Sequence, residues 1–216
     1  MSKIELSRRQ QNRIDALRDI HRAAFDLTVA GNSPSVTVEA ISKRAGVSPR
    51  TFFNYYRSKE DAILGLQPPT VREEQLDALS GHGSEGLLIR VLMLLRDVIK
   101  DSIMPVGNMA DKTDLAEFPK LFDLLPDARQ RLRAHMVACE NAAQVAVVAK
   151  LESNAFADVE LDNMPDAEES ARALIVLAGA ILRFTYYHKP TEIFSSAPSR
   201  LEASVQIFKK VLKETL

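Results

Sequence analysis

The chain has 216 residues, enough for one large or two small domains with their own hydrophobic cores, so it needs no disulfide scaffold. Its one cysteine, Cys139, cannot form an internal disulfide, and no apolar run with a small-residue cleavage site stands at its start. The longest apolar run, Ala173 to Leu182, is well short of the roughly 20 residues of a membrane-spanning helix. These features exclude a disulfide-rich secreted domain and predict a cytoplasmic protein without a membrane partner.

Apolar residues recur at helical spacing along most of the chain, and no alternating strand of useful length appears. We therefore predict an all-α protein with about nine helices. The first helix should run from Arg8 to Ala30, and breakers such as Pro126 separate the later ones. Beyond residue 66, helices are expected near 85–104, 114–125, 127–154, 166–188 and 198–214.

Three short helices should follow the first, each preceded by a residue that can cap its N-terminus. Thr37 precedes "VEAISKRA", Ser48 precedes "PRTFFNYY" with Pro49 at the first helical position, and Ser58 precedes "KEDAILGL". Gly46 is placed to end the first of the three.

The stretch "QPPT" at residues 67–70 should interrupt the helical pattern, because proline cannot donate an interior helical hydrogen bond. We predict a domain boundary here, between residues 1–66 and residues 67–216. The charge changes sign at the same place. Residues 1–66 contain 11 Lys and Arg against 7 Asp and Glu, net +4, and residues 67–216 contain 17 against 22, net −5. The N-terminal domain is therefore the basic one.

Two short helices joined by a tight glycine turn, "VEAISKRA-GVS-PRTFFNYY", are typical of a helix-turn-helix, whose second helix enters the major groove of DNA. Gly46 suits the turn, Val47 can lie between the two helices, and Ser48 can cap the second one. This second helix, the reading helix, is short, so only its exposed N-terminal residues should reach base edges. The sequence therefore predicts double-stranded DNA as a partner.

The same segment resembles the TetR family of bacterial transcriptional regulators over roughly residues 8–66. The resemblance rests on Thr37, Ile41, "AGVS" at 45–48, Thr51, Phe53, Tyr55, Tyr56 and "SKE" at 58–60. The rest of the chain matches in helix count and length only. The peptide "SPRTFFNYYRSKED" is most similar to an actinobacterial subgroup that includes mycofactocin-type regulators, some of which respond to acyl-CoA thioesters. The family implies an N-terminal DNA-binding domain, 1–66, and a helical effector-binding and dimerisation domain, 67–216.

The resemblance also implies roles for single residues. Phosphate contacts are implied for Thr37, Thr51, Tyr55 and Lys59, and base contacts for Pro49, Arg50, Phe53 and Asn54; Ser48 completes the DNA-binding set as the cap of the reading helix. The chemistry agrees, since hydroxyls and an ammonium suit phosphate oxygens and an arginine can bind guanine through two hydrogen bonds. A solvated surface arginine is the alternative for Arg50.

Not every side chain of this segment is expected to face DNA. Phe52 and Tyr56 should pack inward and brace the short reading helix. Phe53 departs from the family, which often has Tyr at this position, and Phe cannot donate a hydrogen bond to a phosphate. The arginines of "SRRQQNR" are either solvated or an arm that touches the DNA backbone.

The last two predicted helices carry apolar stripes that the resemblance assigns to a homodimer interface. Small residues at Ala171, Ala178 and Gly179 would let a second helix approach closely. A two-fold dimer would present two reading helices to a palindromic operator. The alternative is that these stripes face only the protomer's own core.

An apolar pocket for a small-molecule effector is expected in the C-terminal domain, with an apolar or acyl-CoA-like ligand. The candidate lining residues are Met93, Phe122 and Met136, with Arg96, His135, Gln144, Arg183 and Tyr186 as polar anchors. At helical spacing such residues are also common in an ordinary core. We expect no metal and no other cofactor, because His135 and Cys139, four residues apart, are too few ligands.

Together these patterns predict a ligand-responsive repressor that a small-molecule effector releases from its operator, and no enzyme, since no nucleophile elbow or phosphate-binding glycine loop is present. Two other classes stay open. A helical lipid or acyl-CoA carrier would show no salt-dependent affinity for DNA. A helical hydrolase would need Cys139 as nucleophile with His135 as its base.

Overall fold

The computed structural model describes residues 7–30, 36–80, 86–103, 121–153, 155–156, 165–186 and 198–215. Within these ranges it confirms the all-α prediction, with ten helices and no β-strand. The helices are α1 Arg8–Ala30, α2 Val38–Ala45, α3 Pro49–Tyr55, α4 Lys59–Leu64, α5 Glu73–Ser80, α6 Leu87–Ser102, α7 Leu121–Leu124, α8 Ala128–Glu152, α9 Ala167–Tyr186 and α10 Pro198–Thr215. Residues 114–120 of the helix predicted at 114–125 lie outside the described residues.

Helix α5 was missed by the sequence analysis. Helix α4 ends at Leu64, before the proline pair, with Gly65 in the left-handed conformation as its C-cap, and beyond the prolines the chain resumes a helix at Glu73. The Gln75 side chain reaches back to accept from the Arg72 N–H at 2.8 Å, which is half of a capping box without the usual Ser or Thr. Gln75 also donates to Asp101 on α6 at 2.8 Å, and the buried Leu79 completes the packing. Tertiary contacts therefore stabilise a helix whose local N-cap signal is weak.

The chain forms two compact units. One combines Met1–Pro68 with Ile103–His135, and the other combines Pro69–Ser102 with Met136–Leu216. The first segment ends two residues beyond the predicted boundary. Residues 103–135, which the sequence analysis assigned to the C-terminal domain, group with the helix-turn-helix. The antiparallel bridge between Leu66 and Ile103 joins these two segments of the first unit.

In the first unit, α1 is the central helix and packs against α2, α3, α4 and α7. Its buried face includes Leu17, Ile20 and Ala24, spaced by three and four residues as one side of a helix requires. Ile41 from α2 and Ile63 from α4 are fully buried with it. This core holds the short helices α2 to α4, which are too short to be stable alone.

His21 is a buried titratable residue in this core. Its Nδ1 lies 2.7 Å from the Ala62 carbonyl oxygen, and since a carbonyl can only accept, the ring is the donor. Burial lowers the pKa of His21 from 6.5 to about 4, against the opposing effects of the Ala62 hydrogen bond and the charge of Asp26. The folded protein therefore keeps this imidazole neutral over a range in which the unfolded chain protonates it.

We expect the free energy of unfolding of the first unit to fall by about 2–3 kcal/mol between pH 7.5 and pH 4.5 because of His21 alone. The unfolded state binds the extra proton as the pH falls below 6.5, so stability is lost in the acid direction down to about pH 4. Urea unfolding of the wild type and of His21→Gln at both pH values isolates this effect from that of the carboxyl groups. Parallel pH dependences in the two proteins would contradict it.

In the second unit, α6 packs against α5 and α9, and α9 packs against α10. Ala171, Ala178 and Gly179 are buried inside the protomer. A Cβ at Gly179 would come 2.8 Å from Glu140 Oε1 of α8, so the glycine makes room for this carboxylate. A second helix does therefore approach these small residues, but it belongs to the same protomer, and the homodimer through the last two helices stays a prediction. None of the helices in the described ranges is long and apolar enough to cross a membrane.

Candidate DNA-binding surface

The turn between α2 and α3 depends on Gly46. This residue has φ 69° and ψ 27°, the left-handed conformation, which costs a residue with a Cβ about 1–2 kcal/mol. The Val47 N–H donates to the Ser42 carbonyl at 2.9 Å and closes the end of α2. A Cβ on Gly46 would meet no atom within 4 Å, so the backbone conformation, not lack of space, is what requires glycine. The chain can therefore reverse direction within three residues.

Serine and threonine hydroxyls start the short helices, as predicted. Thr37 Oγ1 accepts from the Ala40 N–H at 3.2 Å, Ser48 Oγ accepts from the Thr51 N–H at 3.0 Å, and Ser58 caps α4 in the same way. Ser48 and Thr51 also share a hydroxyl–hydroxyl hydrogen bond of 2.9 Å. These bonds satisfy backbone N–H groups that a helix end leaves without a partner.

The inner face of the reading helix α3 is anchored by two aromatic rings. Phe52 and Tyr56 are 0% and 2% exposed, and their ring centroids are 6.2 Å apart. The Tyr56 hydroxyl donates to the Leu17 carbonyl of α1 at 3.2 Å, and burial raises the pKa of this phenol. Both residues therefore brace α3 from inside, which confirms the predicted inward orientation.

The outer face of α3 carries the side chains predicted to reach bases. Pro49, Arg50, Phe53 and Asn54 are all exposed, and their spacing of one, four and five residues places them on one side of the helix. Phe53 is 58% exposed and touches the buried Phe52 only edge to face, with ring centroids 5.3 Å apart. An arginine, an amide and an apolar ring are thus presented together on a solvent-facing surface.

The residues predicted to contact phosphates surround this face. Thr37 is exposed, and Thr51 and Tyr55 are half-buried. The Arg13 guanidinium carbon lies 5.8 Å from the Tyr55 ring centroid, which places a basic group of α1 beside α3. Because Arg13 belongs to a regular helix, the described part of "SRRQQNR" is the start of α1 and not an extended arm.

Lys59 has a structural contact that the sequence analysis did not foresee. Its Nζ donates to the carbonyl of Val36 at 2.9 Å, and Val36 is the residue directly before the N-cap Thr37. An ammonium has three N–H groups, so a phosphate contact is still compatible with this bond. Lys59 thereby links the start of α4 to the start of α2.

The predicted pocket residues are divided between the two units. Phe122 and His135 belong to the first, and the other six belong to the second. Several of them already have partners within the protein: Arg129 lies over the Phe122 ring at 5.0 Å, and Arg183 contacts Glu140 at 3.3 Å. Neither unit contains the whole predicted set, and a pocket lined by it stays a prediction.

Cys139 has the environment of a structural thiol. It is fully buried, and its Sγ lies 3.3 Å from Ser102 Oγ, whose own proton goes to the Ile99 carbonyl. Burial raises the pKa of the thiol to about 11, so it stays protonated at neutral pH. A protonated, buried thiol is a poor nucleophile, which argues against the hydrolase alternative.

The fold and this surface define a helix-turn-helix DNA-binding protein. Residues 20–64, the later part of α1 with α2, α3 and α4, match the family model described as bacterial regulatory proteins, tetR family. This match agrees with the predicted resemblance of the N-terminal segment and supports a DNA-binding transcription regulator. No curated protein matches the chain.

Proposed function

We propose that the chain is a homodimeric repressor that binds a palindromic operator in double-stranded DNA and is released by a small-molecule effector. The observation that carries this proposal is the reading helix α3, which is anchored by Phe52 and Tyr56 and turns Arg50, Phe53 and Asn54 outward. Those three side chains offer two hydrogen-bonding groups and one apolar group, which suit base edges and a thymine methyl in the major groove.

The dimer part of the proposal is supported by apolar side chains on α9 and α10 that the protomer leaves exposed. Val176 and Phe184 are 59% and 52% exposed on α9, and Ile207 and Val211 are about half exposed on α10. The two helices pack together, and the rings of Phe184 and Phe208 meet edge to face at 5.6 Å. Several large exposed apolar side chains on two helices that pack together are typical of a protein–protein interface. The interface would then be formed by these exposed side chains and not by the small residues named in the sequence analysis.

The resemblance of the reading-helix peptide favours an apolar or acyl-CoA-like molecule. Such a ligand would act by binding one arrangement of the dimer more tightly than the arrangement that fits the operator.

Replacing Arg50 by alanine should weaken operator binding by about 1–3 kcal/mol, roughly 5- to 150-fold, and relax the preference at one base pair of each half-site. The reason is the loss of a guanidinium that can bind guanine through two hydrogen bonds. The operator would first be selected from a random duplex pool, and then titrated with the wild type and the variant at fixed salt.

Arg133→Ala is the matched control, because it removes one exposed arginine that lies outside both the helix-turn-helix and the exposed apolar surface of α9 and α10. It should leave both affinity and base preference unchanged. Unaltered binding and base preference in Arg50→Ala would refute the base-reading role. If no duplex is selected by the wild type, the carrier alternative becomes the better one.

A further inference from the structure

Arg131 forms an ion pair with the start of α4, although in sequence it lies well outside the helix-turn-helix. It stands in the first turn of α8, in the part of that helix that belongs to the first unit. Its Nη1 donates to Asp61 Oδ1 at 2.9 Å and to Ser58 Oγ at 3.2 Å, and its Nη2 lies 3.8 Å from Glu60 Oε2. One guanidinium therefore contacts the N-cap Ser58 and two carboxylates in the first turn of α4, about 70 residues away in sequence.

These contacts are partly shielded from solvent. The side chains of Asp61, Glu60 and Arg131 are 21%, 28% and 39% exposed. Ion pairs in such surroundings are screened less than fully exposed ones. His135, one turn further along α8 on the same face, is also close to Asp61, whose charge opposes the lowering of the His135 pKa by burial. The start of α8 thus places Arg131 and His135 beside the acidic start of α4.

The two carboxylates that Arg131 contacts lie next to a residue that is expected to bind a DNA phosphate. Glu60 and Asp61 directly follow Lys59, which is expected to contact a phosphate, and lie within the first turn of α4. Two negative charges within a Debye length of the DNA backbone would repel it, since that length is about 10 Å at 0.1 M salt. A guanidinium that pairs with these carboxylates offsets one of the two negative charges and so reduces this repulsion.

We propose that Arg131 is a positioning residue for DNA binding: it offsets one of the two negative charges of Glu60 and Asp61, so that the start of α4 and Lys59 can lie against the phosphate backbone. This inference rests on the proposed function. Arg131 is not expected to contact DNA itself. It acts through the carboxylates with which it pairs. It also shares Ser58 Oγ with the Asp61 N–H, which strengthens the cap of a helix of only six residues.

The test compares operator affinity for the wild type, Arg131→Ala, Arg131→Lys, Asp61→Asn and the double variant Arg131→Ala/Asp61→Asn. We expect Arg131→Ala to bind roughly 5- to 30-fold more weakly at 50 mM salt, with a smaller effect at 300 mM because screening weakens the repulsion. Arg131→Lys should restore most of the affinity. Asp61→Asn alone should bind as tightly as the wild type or more tightly, and it should rescue Arg131→Ala.

If the Arg131–Asp61 pair acted only as a structural clamp, the variants would give a different pattern of operator affinities. The sign of the Asp61→Asn effect on affinity is therefore decisive. If the pair only held α4 in place, Asp61→Asn would weaken binding as Arg131→Ala does, and that result would overturn the proposal. Arg133→Ala is the matched control on the same helix, since Arg133 is exposed, and it should bind like the wild type. Thermal unfolding of each variant shows whether a change in affinity reflects a loss of folding.

Binding of the wild type to duplex DNA separates the role of Arg131 from the proposed function. If the wild type selects an operator but Arg131→Ala binds it equally well at low salt, only the role of Arg131 is wrong. If the wild type binds no duplex DNA at all, the proposed function is wrong, and the role of Arg131 with it.

Discussion

Phe52→Ala should lower the free energy of unfolding of the helix-turn-helix unit by about 3–5 kcal/mol, whereas Phe53→Ala should change it by less than about 0.5 kcal/mol. The two phenylalanines are adjacent in sequence, but one is 0% exposed and the other 58% exposed. Truncating Phe52 would leave a cavity between α3 and α1. Because α3 has only seven residues, few other contacts would remain to hold it in place. Truncating Phe53 removes a ring that contacts the core only at its edge.

Urea unfolding followed by circular dichroism measures both effects, and equal slopes against urea show that the denatured states are comparable. Phe52→Leu serves as an apolar control that keeps more of the side-chain volume than alanine does, and its expected loss is smaller than that of Phe52→Ala. For operator binding the order reverses at temperatures at which both variants are folded, since Phe53 faces outward. Equal destabilisation by the two alanine variants would show that the division into buried and exposed rings is wrong.

A second large effect is expected at the exposed apolar surface of α9 and α10. Phe184→Asp should convert the protein to monomers and weaken binding to the full palindrome by roughly 10²- to 10⁴-fold, because the two half-sites would no longer be bound as one linked event. Binding to an isolated half-site should hardly change. Sedimentation analysis gives the oligomeric state, and titration of full and half operators gives the affinities.

Val145→Asp is a matched control, because Val145 is 71% exposed on α8 and the change adds the same charge at an apolar surface residue. This variant should stay dimeric. Val176→Asp is the second disrupting variant, since Phe184 also packs on Phe208 within the protomer and its loss could weaken the fold. A dimer that survives both Phe184→Asp and Val176→Asp would rule out this surface as the interface.

The features that the sequence predicted correctly depend on short stretches of chain. The caps at Thr37, Ser48 and Ser58 each join a hydroxyl to an N–H three residues later. The turn at Gly46 follows from the conformational freedom of one residue. The inward orientation of Phe52 and Tyr56 was expected because a helix this short needs side chains that brace it against a core. Helix α5 was missed because its N-cap contact comes from Gln75 without the serine or threonine that usually announces a helix start.

The sequence alone therefore determined the all-helical class, the capped helix-turn-helix and its basic character, because these depend on hydrogen bonds and spacings within about four residues. Only the tertiary structure decided which side chains meet across long separations. It buried Ala171, Ala178 and Gly179 inside the protomer, tied Lys59 to Val36, and placed Arg131 against Asp61. Such contacts follow from how whole helices pack, and a local pattern carries no record of which distant residue will complete an ion pair.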